Sequence, residues 1–239
     1  ELYNFTIDEN TPIDIELSID PEMLGRIFEN LLAEINPETQ ESARKATGSF
    51  YTPRPIVEYM VDESLKMYLK RKVKLSDELL NSLFNYAEEL IDISPEEKSE
   101  IIDAFDELKI LDPACGSGAF PMGILQKIHL ILQKVDPESE KWMDKQLDKI
   151  QNSQLKQITK EKMKNENIDF IHKLGIIQNC IFGVDLQPMA VEISKLRFFL
   201  TLIVDEKIKE DRENRGINPL PNLAFKFVTA NTLIGLGDD

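Results

Sequence analysis

The feature that most constrains this chain is an alternation that begins at residue 108. A short apolar run, "LKILD" (108–112), leads through a glycine-containing turn into a helical stretch, "GAFPMGILQKIHLILQKV" (118–135). The order repeats in "CIFGVDL" (180–186) and "QPMAVEISKLRFFLTLIV" (187–204). A third apolar run, "FKFVTANTLIG" (225–235), ends in a polar turn. Runs too short for helices, each coupled to a longer helical stretch, predict an α/β chain with a parallel sheet covered by helices. Ligands of such sheets bind at the carboxyl ends of the strands. The glycine loop, Asp185 and Asn231 all fall at such ends, so the topology gathers three polar turns on one edge.

Upstream the pattern is helical. Residues 20–35 read as a helix capped by Asp20, and 50–71 as turn chemistry followed by an amphipathic helix. Residues 76–107 read as two helices broken at "ISPEE", where Ser94 caps and Pro95 opens the second. We therefore expect a helical N-terminal region over 1–107 and an α/β core over 108–239. A charged helical insertion at about 134–175 interrupts the core, and we read it, with Trp142, as a solvated annex.

Bulk properties narrow the classes. A hydrophobic fraction of 42% supplies a sizeable core, and no apolar run is long enough for a membrane span. The first residues lack the pattern of a signal peptide, so a cytoplasmic location with two reduced cysteines is expected. Cys115 and Cys180 belong to no CxxC pair, and His129 and His172 are far apart in sequence, so no metal ligand is assigned. A net charge of −15 argues against a dedicated nucleic-acid grip within these residues. Residues 1–50 carry eleven Asp and Glu against three Lys and Arg.

The stretch "DPACGSGAF" (112–120) holds the chemistry. A glycine turn between strand and helix lets backbone N–H groups approach a ligand closely. A triphosphate loop needs a Lys after its last glycine, and none follows here. A dinucleotide fingerprint wants a third glycine where Pro121 stands. S-adenosylmethionine suits the residues better. Asp112 at the strand end is a counter-charge for its ammonium, and Asp185 at the next strand end suits two ribose hydroxyls. Each also has a plainer reading: the loop as a structural turn, Asp185 and Thr52 as helix caps, Asn231 as a turn residue. Cys115 reads as a small residue in a tight loop.

These stretches resemble the amino-methylating DNA methyltransferases. "DPACGSGAF" is similar to their motif I, and "GSFYTP" (48–53) resembles motif X, which precedes motif I in the adenine-specific gamma arrangement. "IFGVDLQPMAVEISKLRFFL" (181–200) and "FVTANTLIG" (227–235) resemble motifs II and III. "IDPEMLGRIFENLL" (19–32) is similar to a segment of large fused restriction-modification and phage-defence methyltransferases.

The resemblance implies a Rossmann-like S-adenosylmethionine-dependent methyltransferase fold, with a partial sheet and a helical annex. It implies a cofactor-binding set of Tyr51, Thr52, Pro53, Asp112, Ala114, Gly116, Ser117, Gly118, Asp185, Leu186 and Asn231. Tyr51, Thr52 and Pro53 would line the methionine end, with Thr52 on its carboxylate. Asp112, Ala114 and the glycines would wrap the methionine and sulfonium. Asp185 would hold the ribose, Leu186 the adenine ring and Asn231, where Asp is commoner, the adenine amino group. The family's catalytic motif, [NDS]-P-P-[YFW] after motif III, does not occur in these 239 residues; "NPLP" (218–221) departs from it and precedes motif III. The expectation is thus the cofactor half of a DNA adenine-N6 methyltransferase, without turnover alone. Implied partners are double-stranded DNA, gripped mostly through other parts, and a fused or associated endonuclease and target-recognition domain. The alternatives are an enzyme acting on RNA or protein, and a cofactor sensor gating a fused nuclease.

Overall fold

Among the described residues, the first strand is preceded by α1 (Arg54–Lys72), α2 (Asp77–Phe84) and α3 (Pro95–Glu107). The computed structural model describes residues 52–86, 92–206 and 222–234, with the single position 27. Apart from position 27, which is helical, the helix expected at 20–35 lies outside the described residues, as do Tyr51 and most of the connection 206–222. Helix α1 buries Val57, Val61, Leu65 and Leu69, one residue per turn along a single stripe. Helix α3 begins as its sequence predicts. Ser94 Oγ accepts from Glu97 N at 3.1 Å, and Glu97 Oε2 accepts from Ser94 N at 2.9 Å.

The alternation then follows: β1 (Ile110–Asp112), α4 (Ala119–Val135), α5 (Glu140–Asp148), α6 (Ser153–Asn165), α7 (Ile168–Asn179), β2 (Ile181–Asp185), α8 (Pro188–Ile203) and β3 (Phe227–Thr229). The strands form one parallel sheet in the order β1-β2-β3. Its register pairs Asp112 with Gly183 and Asp185 with Thr229. The fold is therefore mixed α/β around a small parallel sheet. Among the described residues no helix is long and apolar enough to cross a membrane.

The third strand is shorter than its apolar pattern suggests. Ala230 N donates to Asp185 O at 3.0 Å, and Asn231 Oδ1 accepts from Leu233 N at 3.0 Å, which turns the chain away. Leu233 and Ile234 are then exposed, so their apolarity does not report strand burial.

The insertion is not a uniformly solvated annex. Helix α6 is exposed, but Trp142 on α5 is fully buried. A Cβ on Gly175 would lie 2.7 Å from Trp142 Nε1, so the absence of a side chain there admits the indole. Trp142 N also donates to Asp136 Oδ2 at 2.8 Å. One hydrophobic core runs from Val57 through Phe105, Ile128, Trp142 and Phe198 to Phe227. It joins residues on both sides of position 107.

Helices α4 and α7 pack together and bring His129 and His172 into edge contact, with ring centroids 5.7 Å apart. Burial, above all, pushes His129 down to about 3 and His172 down to about 4, so both imidazoles are neutral in the folded protein.

Candidate functional site

The loop between β1 and α4 needs two glycines for two different reasons. Gly116 (φ +54°) and Gly118 (φ +86°) both take left-handed backbone conformations. A Cβ on Gly118 would meet Ser194 Oγ at 2.8 Å, so α8 closes that side. A Cβ on Gly116 would meet nothing within 4 Å, so that side is open.

The loop is tied to its neighbours by hydrogen bonds that span the sheet edge. Cys115 N donates to Val184 O at 2.9 Å, and Gly116 N donates to Asp185 Oδ2 at 2.8 Å. Three loop carbonyls accept from side chains. Ser194 Oγ reaches Gly116 O at 3.0 Å, Arg197 Nη1 reaches Ser117 O at 2.7 Å, and Thr232 Oγ1 reaches Pro113 O at 3.1 Å. The structure thus brings the three expected strand-end turns together and supplies three supports that the sequence reading passed over. Ser194 and Arg197 had a signal: they are polar positions three apart on the helix face that also carries Ala190, Val191, Phe198 and Leu202. Both are buried.

The two carboxylates differ. Asp185 is engaged at both oxygens, with Gln187 N donating to Oδ1 at 2.8 Å. Gln187, not Asp185, is the N-cap residue of α8. Asp112 Oδ1 accepts from Ala114 N at 3.1 Å, while its Oδ2 is buried without a partner. Burial raises the Asp112 pKa above the ordinary carboxylate value; the Ala114 N–H opposes the rise and the Asp185 charge adds to it. A carboxylate with one orphaned oxygen is a receptor for a cationic donor. Burial first, then the Asp112 and Asp185 charges, push the Cys115 thiol up to about 12, so it stays protonated and is no nucleophile at neutral pH.

The other expected residues are placed as follows. Ala114 and Leu186 are exposed at the strand ends, and Ser117 is buried in the loop. Asn231 makes the turn described above. Thr52 and Pro53 lead into α1; Pro53 is its N-cap residue, and no side chain caps the helix. Helix α1 runs alongside α4: Val57 Cγ1 lies 2.8 Å from where a Gly123 Cβ would be, and Lys127 Nζ is 3.0 Å from Asp62 Oδ1. The order of these contacts along both helices makes α1 and α4 run parallel.

Fold and site together define a mixed α/β protein whose parallel strands end in a glycine loop and two carboxylates. No family model matches the sequence. Over 248 aligned positions the chain is 29% identical to a protein of Methanocaldococcus jannaschii that carries the provisional name type II restriction enzyme and methyltransferase. The alignment takes in 100% of this chain, which spans 18% of that relative's length.

Proposed function

We propose that the chain is the S-adenosylmethionine-binding part of a DNA adenine-N6 methyltransferase of a restriction-modification or phage-defence system, acting in the cytoplasm. The observation that carries this reading is Asp112 Oδ2, buried and unpartnered at the end of β1, where the glycine loop begins. An α-ammonium would satisfy it. The name of the Methanocaldococcus relative supports the restriction-modification setting.

Bound S-adenosylmethionine supplies a methyl group on a sulfonium, already activated for transfer. The chain's residues would hold and orient it. Asp112 binds the ammonium. Gly116 lets the loop approach without a side chain. Each Asp185 oxygen keeps a lone pair beyond the N–H it accepts, enough for the ribose hydroxyls. Leu186 offers an exposed apolar surface to the adenine ring, and the Asn231 carbonyl keeps a lone pair for its amino group. Tyr51, Thr52 and Pro53 are proposed for the methionine end. Catalysis by such a site comes chiefly from positioning.

The sheet is proposed as part of a Rossmann-like methyltransferase fold. In a doubly wound sheet of order 3-2-1-4-5, strands β1 to β3 make one half, and the switch point adjoins β1, where the glycine loop begins. We assign the motif X-like segment to residues 1–107 and the other cofactor contacts to 108–239.

Calorimetry of the folded protein with S-adenosylmethionine tests the reading. Asp112→Asn is expected to weaken binding about 10- to 100-fold, the worth of a charge-assisted hydrogen bond. A folded protein that evolves no binding heat would overturn the assignment. The acceptor is tested with the whole protein and labelled cofactor: label in N6-methyladenine of DNA supports it, and label in RNA or protein instead refutes it.

A further inference from the structure

We propose that His129, Asp169 and His172 form a binding site for a divalent transition metal of the Zn2+ class, which clamps the inserted helices to α4. Asp169 and His172 stand three apart on α7 and so share a face; His129 faces them from α4. One ligand atom from each residue lies within 4.8 Å of the others. His129 Nε2 is 3.5 Å from Asp169 Oδ1. Metal–ligand bonds of about 2.0–2.1 Å put tetrahedral ligand atoms about 3.4 Å apart, so this pair is already at the required spacing. The His172 ligand atom lies within 4.8 Å of the other two.

A second observation is independent of the cluster's spacing. His172 is fully buried, and neither of its ring nitrogens has a hydrogen-bond partner. His129 Nδ1 is also buried without one. Buried imidazole nitrogens are normally paired, and leaving three unpaired in one contact is costly. An ion held by His129 Nε2 and Asp169 Oδ1 takes one of the two His172 nitrogens as its third protein ligand and so satisfies that nitrogen directly. The shell around the site is also suitable. Gln133 Nε2 donates to Asp169 Oδ1 at 2.9 Å and orients the carboxylate, as outer partners of ligands do. The neighbouring Lys173 is neutralised by Asp205 at 2.6 Å. Two imidazoles and one carboxylate select Zn2+, Co2+ or Ni2+ over Mg2+ and Ca2+, and water completes the coordination.

The site is separate from the glycine loop. His129 is eleven positions beyond Gly118, about 16 Å along the helix axis. Its role is structural: the ion would tie the helix that leaves the glycine loop to the helix that enters β2, holding the two ends of the insertion together.

The test is a Co2+ titration of the chelator-treated protein. We expect one Co2+ per site, seen by its visible d–d band and displaced by Zn2+. Zn2+ at about a hundredfold excess over its Kd should raise the Tm by about 5–10 °C. Asp169→Asn, at a half-exposed position, should weaken Co2+ binding at least tenfold, and His172→Phe should abolish the band while filling the site. No band and no Zn2+-dependent rise in Tm in the parent protein would refute the site. Unchanged affinity in Asp169→Asn would also refute it, and that variant decides the matter if His172→Phe does not fold.

Discussion

The two loop glycines should separate stability from binding when each is replaced by alanine. Both backbones are left-handed, which costs an L-residue roughly 1–2 kcal/mol. For Gly116→Ala that is the whole stability cost, because the new methyl meets no protein atom within 4 Å. For Gly118→Ala the methyl would lie 2.8 Å from Ser194 Oγ and 3.2 Å from Ser194 Cβ. Ser194 is fully buried, so it cannot swing into solvent. Its displacement adds roughly 1–3 kcal/mol of overpacking and about 1 kcal/mol for the hydrogen bond to Gly116 O. The expected totals are about 1–2 kcal/mol for Gly116→Ala and about 3–6 kcal/mol for Gly118→Ala. In a protein of this size they correspond to Tm losses of roughly 2–8 °C and 6–24 °C. Binding should run the other way relative to stability. The Gly116 methyl enters the space proposed for the cofactor, so this milder variant should still lose at least about tenfold in S-adenosylmethionine affinity. Calorimetric melting and ligand titration of both variants are the assay. Adding Ser194→Ala to Gly118→Ala should return part of the loss, making the double variant more stable than the sum of the single effects. Equal melting of the two glycine variants, or strict additivity in the double, would show that the loop does not pack on Ser194 as described.

Three other outcomes are expected. The raised Asp112 pKa means that acid neutralises this carboxylate earlier than an ordinary one, and a bound ammonium prefers it ionised. S-adenosylmethionine affinity should therefore be full above the raised value and fall as the pH drops through it. Asp112→Asn should flatten that profile, and titration calorimetry across pH checks it. Trp142→Ala should cost about 3–5 kcal/mol, the range for a fully buried aromatic side chain. Limited proteolysis should then cut within the insertion before the rest of the chain; an unchanged cleavage pattern would mean the indole does not anchor it. Gly183→Ala would set a methyl 2.6 Å from the Phe227 ring and 2.9 Å from Cys115 Sγ, so it should destabilise by a few kcal/mol and disturb the loop through Cys115. Denaturant melts that match the parent's would contradict that packing.

How much was legible in the sequence depended on whether the deciding contact was local. The strand–turn–helix units at β1 and β2 were legible because apolar runs, prolines in first turns and glycines act within a few residues, and so was the cap at Ser94. The gathering of the glycine loop and Asp185 at one edge followed from the rule that parallel strands carry their ligands at their carboxyl ends. The end of β3 was not legible, because Leu233 and Ile234 are as apolar as core residues but point away after the Asn231 turn. Trp142 was misread for the opposite reason: a single aromatic among charges looks solvated until Gly175, far along the chain, makes room for it. The partners of the loop carbonyls and the meeting of His129 with His172 also depend on which helices pack together. A polar residue on an apolar helix face is the trace such contacts leave in a sequence, and Ser194, Arg197 and His129 all carry it. In each case the structure brings the residue to a buried polar group from a distant part of the chain. A buried polar position therefore marks where a long-range contact must exist, while only the packing shows its partner.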